Sequence, residues 1–174
     1  MATRSYTSRR ELEEYHFNPF VIIAVPIALI ALQAFLPKMF PRLLILDLPL
    51  IAVIFFAVGR RNPIFGALTG SAIGLLQDAL TGQPIGVNGI AKSVIGYAAS
   101  SIGVQVDVEN IITRSLMNFG FCMLQSILLF LINRAMLGRP EYHLLWLHEL
   151  LRAAVNTLVA LPLFVLLDRV KQRE

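Results

Sequence analysis

Apolar runs of near-membrane length, separated by short polar breaks, fill the chain from Phe20 to Leu167. The first extends from Phe20 to Leu36, holds Pro26 and is closed by Pro37; the second, Leu43 to Val58, contains Asp47 and Pro49. Four more follow at about Ile64 to Leu80, Asn88 to Val106, Ile111 to Ala135 and Leu144 to Leu167. A spanning helix needs roughly 20 mostly apolar residues, so the pattern predicts six transmembrane helices. The first two runs are short for a bilayer. Tilt, snorkelling of Lys38 and Arg42, or local thinning would make up the difference at modest cost.

Composition narrows the picture to one class. The 174 residues are 56% hydrophobic and 15% charged, with a mean hydropathy of +0.69, too apolar for a soluble domain of this size and with no room for a soluble catalytic one. The expected fold is an all-α integral membrane protein, a six-helix bundle over 20–168 between a polar segment at 1–19 and a short tail at 169–174. The first nineteen residues balance three Arg against three Glu and contain no apolar core, so they do not read as a cleavable signal peptide. Ser8 and Glu11 have capping-box spacing, which predicts a short surface helix from Arg9 to His16 before Pro19.

The formal charge of +4 does not point to nucleic acid, because Lys and Arg stand singly or in pairs between apolar runs. They set orientation instead. With the N-terminus in the cytoplasm, the inner segments hold Arg4, Arg9, Arg10, Arg60, Arg61, Arg169, Lys171 and Arg173. The outer ones hold Lys38, Arg42, Arg134 and Arg139, and the positive-inside rule therefore favours two cytoplasmic termini. Asp107 and Glu109 lie in an inner turn and weigh little in that rule. Tyr142 and Trp146 fall at the outer interface.

The third run, IFGALTGSAIGLLQD, steps Gly66, Gly70 and Gly74 along one stripe with Ser71 beside it, making it a central span whose backbone another helix can approach closely. The approaching helix is either a partner's or one of the chain's own. Next comes TGQPIG, where Gly82 suits a left-handed C-cap, Pro84 stops the helix, Gly86 permits a tight turn and Asn88 caps the following span. Asp78 lies one turn before this break. An acid at the bilayer centre costs about 2.5 to 3.5 kcal/mol even on lenient scales, so an interfacial or shallowly buried site is favoured.

Asp47, Lys92, Arg114, Asn118, Glu149, Arg152 and Asn156 all fall inside apolar runs and have to pair or reach headgroups. Glu149, Arg152 and Asn156 share a face of the sixth helix, with His148 on its flank. Asp78 and Lys92 bracket the outer turn and are spaced to pair across it. Two readings stand: Asp47, Asp78, Lys92, Glu149 and Arg152 line a polar pocket open to the outer face, or they are structural ion pairs that fix helix register. No metalloprotease, nucleophile-elbow or phosphate-loop motif occurs, and His16, His143 and His148 lack companions at ligand spacing. Cys122, the one cysteine, reads as a small buried apolar residue. Neither a metal nor a cofactor is expected.

The stretch GALTGSAIGLLQDALTGQPIGVNGIAKSVIGYAASSI resembles the rod-shape-determining MreD family in its glycine-stepped span, its Gly-Leu-Leu-x-Asp element ending at Asp78, its Gly-x-Pro-x-Gly turn at Gly82, Pro84 and Gly86, and the Gly96-Tyr97 pair. LDLPLIAVIFFAVGRRNP resembles the family's second span, with Leu46 in place of a usual proline before Asp47. The resemblance implies a non-enzymatic component of the bacterial inner membrane with a fold similar to the substrate-binding subunits of energy-coupling-factor transporters. It further implies partners: the single-span MreC, the filament MreB, and the pair of a SEDS glycosyltransferase and a class B penicillin-binding protein. Membrane lipids complete the set. The competing expectation is a subunit that captures a vitamin-like small molecule for a transporter, with Ala24 and Ala28 on the first span meeting a coupling subunit.

Overall fold

The structure, a computed structural model, describes residues 19–106, 108 and 110–169, and these form helices with no strand among them. Six helices follow in order: α1 (Pro19–Met39), α2 (Leu48–Arg60), α3 (Pro63–Thr81), α4 (Val87–Gly103), α5 (Ile111–Leu131) and α6 (Trp146–Asp168). The helix expected over Arg9 to His16, and the acids Asp107 and Glu109, lie outside the described residues. The segments Leu43–Arg60, Pro63–Thr81, Ile111–Met136 and Trp146–Asp168 are long and apolar enough to cross a bilayer, while the apolar part of α1, Phe20–Leu36, is shorter.

The expected boundaries hold within a few residues, with informative exceptions. Pro37 does not close α1, which continues to Met39; a proline near a helix end removes only one backbone bond. The second run is not one helix. A 3-10 turn at Pro41–Ile45 leads into a break at Leu46 and Asp47, and α2 starts at Leu48 with Asp47 as its N-cap, the carboxylate accepting from the Leu50 N–H at 3.1 Å. Asp47 therefore sits at the head of α2 rather than along it.

At 13 residues, α2 is only about 20 Å long. It does not need lipid-spanning length, because every residue from Leu48 to Ala57 is buried by other helices. The core is built around α2: Ile51, Ala52, Ile54, Phe55 and Phe56 pack with Ile95 and Ala99 of α4, Phe121 of α5 and Ala160 and Phe164 of α6. The axial element is thus α2, and α3, expected in that place, instead packs one stripe against α4 and leaves Leu68, Leu75, Leu76 and Leu80 exposed.

That stripe is Gly66, Gly70 and Gly74. A Cβ at Gly66 would strike the Gly96 backbone and the Ser100 hydroxyl, one at Gly70 the Lys92 carbonyl, and one at Gly74 the Asn88 carbonyl. The helix approached by the glycines is the chain's own α4. Such backbone approach gives van der Waals contact where lipid supplies no hydrophobic drive.

Candidate functional site

The connections α1–α2, α3–α4 and α5–α6 meet at one end of the bundle, and the polar residues gather just beneath them. The α3–α4 turn is organised by Asp78. Gly82 closes α3 at φ 67°, and Gly86 opens α4 at φ 103°, a region open to glycine at little cost. Gly86 offers no side chain as a cap, and Asp78 reaches across from α3 instead. Its carboxylate accepts from the backbone N–H of Gly86 at 2.9 Å, Asn88 at 3.1 Å and Gly89 at 3.4 Å, and from the Asn88 amide at 2.8 Å. An anion at a helix N-terminus is favoured by the unpaired amides and the helix dipole. Asp78 is fully buried by the protein itself, one turn from the end of α3. Asn88, expected to cap α4, lies inside it and is itself held by Asp78.

From Asn88 the network continues inward. The Lys92 ammonium, wholly buried on α4, donates to Asp47 Oδ2 at 3.0 Å and to Asn88 Oδ1 at 3.3 Å. Lys92 therefore pairs with Asp47, and Asn88 stands between it and Asp78. Asp47 Oδ2 also accepts from the Gln125 amide of α5 and from Arg152 Nη2 of α6 at 3.4 Å. Arg152 Nη1 lies 3.6 Å from Glu149 Oε2, an ion pair too long for a hydrogen bond, and Glu149 accepts from the Ser126 hydroxyl.

Backbone opened by the break before α2 is paired by amide side chains. Gln33 of α1 donates to the Leu46 carbonyl and accepts from the Leu48 N–H at 3.0 Å; Asn156 of α6 accepts from the Asp47 N–H at 2.7 Å and donates to the Ile45 carbonyl at 2.9 Å. Irregular backbone at membrane depth persists only where protein or water satisfies it, and these two amides do so.

Above this floor lies a cavity of about 780 Å³, lined among others by Gln33, Asp47, Gln77, Asn88, Leu129, Asn133, Arg139, Tyr142, His148, Glu149 and Arg152. Of the five residues in the pocket reading, Asp47, Glu149 and Arg152 face it, whereas Lys92 and Asp78 stand behind its wall. Pro84 and Gly82 shape the turn at its rim. Asn133 enters the wall from a π-helical turn, Ile132–Met136, that ends α5, and Arg139 Nη1 donates to its Oδ1 at 3.4 Å. Among the described residues Gln77 Oε1 is buried with no hydrogen-bond partner.

At the opposite end Arg114 of α5 meets both carboxylate oxygens of Asp168 of α6 and donates to the Val108 carbonyl. Asn118, deeper on α5, donates to the Thr157 hydroxyl at 3.2 Å. These groups belong to helix packing and lie apart from the cavity.

The family model described as rod shape-determining protein MreD matches residues 14–170. The chain belongs to the MreD family. It is a rod-shape-determining membrane protein by that membership. No curated protein and no solved structure gives a match. Within the MreD pattern, the glycine steps bind α3 to α4, Asp78 and the Gly-x-Pro-x-Gly turn build the start of α4, and the acid of the second span is the hub of the charge network. Gln33, Gln77 and Gln125 belong to no motif, and the signal that points to them is a lone amide inside runs such as ALIALQAFL and FCMLQSILLFL, a sign of a buried polar contact.

Proposed function

We propose that the chain is a non-enzymatic scaffold of the bacterial cell-elongation complex, lying in the inner membrane with segments 1–19 and 169–174 in the cytoplasm. In that orientation the cavity opens on the outer face. It receives the juxtamembrane segment of MreC and holds MreC in a conformation that promotes peptidoglycan synthesis by the SEDS glycosyltransferase and class B penicillin-binding protein, in register with MreB. One observation carries this reading: a rod-shape family member holds a cavity of about 780 Å³, floored by the Asp47, Lys92 and Arg152 charges, where its hairpin loops converge. A buried network of this kind fixes a rigid shape for a partner to fit, because breaking it is costly.

The same volume falls within the range of small-molecule pockets, which supports the second reading of a transporter subunit that captures substrate. Crosslinking decides between them. In a Cys122→Ala background, cysteines at Gln83 and Tyr142 on the exposed rim should crosslink to co-expressed MreC, and one at the exposed Leu158 on α6 should not. Absence of MreC from the purified complex, or crosslinks at Leu158 alone, would remove the docking role.

A further inference from the structure

On the outside of the bundle α3 and α4 enclose a second hollow, a groove of about 240 Å³ with Ser71, Ser93 and Gly89 along it and Gly86 at its head. Leu75 of α3 and Ile90 and Val94 of α4, all exposed, form its banks. Gly70 and Gly74 seat α3 directly on the α4 backbone, so no layer of side chains separates the two helices beneath the groove. Ser71 and Ser93 are neighbours across it, since a Cβ on Gly70 would stand 3.2 Å from the Ser93 nitrogen. Ser101, Ser115 and Ser126 turn their hydroxyls back onto the carbonyl four residues earlier. Among the described residues the hydroxyls of Ser71 and Ser93 have no hydrogen-bond partner. Ser93 is in the seventh position of α4, roughly 10 Å below its start, a depth at which acyl chains offer a hydroxyl nothing. The groove also runs into the cavity rim: Gly86 belongs to the turn that supplies Gln83, Val87 and Asn88 to the cavity wall.

We propose that this groove seats one transmembrane helix, the span of the protein whose juxtamembrane segment enters the cavity, with a small residue set against Gly89 and a hydroxyl or amide against Ser71 and Ser93. This rests on the docking reading above and adds where the span lies and what its face carries. A chain that leaves the cavity for the bilayer has to descend one flank of the bundle, and this flank bears a groove that begins at the rim. In lipid, helices associate through close backbone contact and interhelical hydrogen bonds, and the groove offers both. An acyl chain would fill the space and leave the two hydroxyls unanswered. A second copy of this chain would make no use of the continuity with the cavity.

The test uses the full chain and full-length MreC, with Kd measured in mixed lipid–detergent micelles. Ser71→Leu and Ser93→Leu fill the groove with side chains that lipid tolerates, and each is expected to weaken MreC binding about tenfold, the scale of overpacking a fitted contact. Ser93→Ala keeps the space and removes the hydroxyl; it is expected to weaken binding about threefold, the size of one interhelical hydrogen bond in a bilayer. Gly120→Leu, with open space beside it on α5, should bind as the wild type does. In a Cys122→Ala background, Ser93→Cys should form disulfides with cysteines on one helical face of the MreC span and not with those on the opposite face. That exchange is nearly isosteric, so this readout stands even if a Leu variant fails to fold. Unchanged Kd in both Leu variants, or no disulfide at Ser93→Cys while Gln83→Cys and Tyr142→Cys still crosslink, would overturn the groove and leave cavity docking in place. A Ser93→Cys homodimer that forms equally with and without MreC would overturn it in favour of a second copy. Disulfides at Ser93→Cys with no crosslink at Gln83→Cys or Tyr142→Cys would uphold the helix groove and remove the cavity role.

Discussion

Asp47→Asn isolates the charge at the hub from its other tasks. Asn is as good an N-cap as Asp, so the bond to the Leu50 N–H survives. The Asp47 backbone N–H still donates to Asn156, and an amide oxygen can still accept from Gln125. What disappears is the counter-ion of Lys92, whose side chain is wholly buried and whose other hydrogen-bond partner among the described residues is the Asn88 oxygen. Leaving a buried charge unpaired costs about 3 to 5 kcal/mol. For a chain of this size about 1 kcal/mol corresponds to 2 to 4 °C, so the midpoint of thermal unfolding in detergent should fall by roughly 6 to 20 °C. Lys92→Met should cost less, since Asp47 then keeps Arg152. The Asp47→Asn, Lys92→Met double variant should recover at least half of the single-variant loss, because a buried pair replaced as a unit is near neutral. A double variant no more stable than Asp47→Asn alone would refute the counter-ion argument.

Further substitutions probe the rest of the frame. Gly70→Leu pushes a side chain into the Lys92 backbone and should destabilise by about 1 to 3 kcal/mol, whereas Gly120→Leu, with open space beside it, should stay within about 0.5 kcal/mol; thermal unfolding of the two compares them directly. Asp78→Ala strips the acceptor from the Gly86, Asn88 and Gly89 amides and should cost about 2 to 3 kcal/mol, with Asp78→Asn losing roughly half as much, read by faster hydrogen exchange at those amides. With Cys122 replaced by Ala, a membrane-impermeant maleimide should modify Gln83→Cys in intact cells and Arg169→Cys only after lysis; the opposite pattern would invert the proposed orientation.

Much of the helical frame can be read from the residues, because its boundaries are local. Asn62 and Pro63 start α3 as cap and first-turn proline, Gly82 ends it, and the apolar runs give the rest. The second run misleads for a local reason as well. Leu46 and Leu48 flank Asp47, so hydropathy continues unbroken through a point where the helix has not yet begun. The burial of Asp78 is not legible locally, because the groups that satisfy it lie at the start of the next helix. The hub is tertiary: Asp47 meets Lys92 at a separation of 45 residues and Arg152 at 105, and no spacing rule reaches that far. What the residues do reveal is that an acid, a lysine and an arginine inside apolar runs must find one another.

The interruption ahead of α2 has a bearing on how the nascent chain is assembled. Leu43–Arg60 is the most apolar of the four segments long enough to cross a bilayer, and leaving the translocon alone it would favour a continuous rod, since in hydrocarbon every unpaired peptide group is penalised. The bend at Leu46–Asp47 becomes tolerable when Gln33 and Asn156 supply substitutes, and Asn156 belongs to the last segment to be synthesised. The polar floor of the cavity is thus completed only after translation has delivered α6. A chain whose synthesis stops before α6 lacks Asn156 and Arg152, so the bend loses one of its two substitutes and Asp47 one of its two cations.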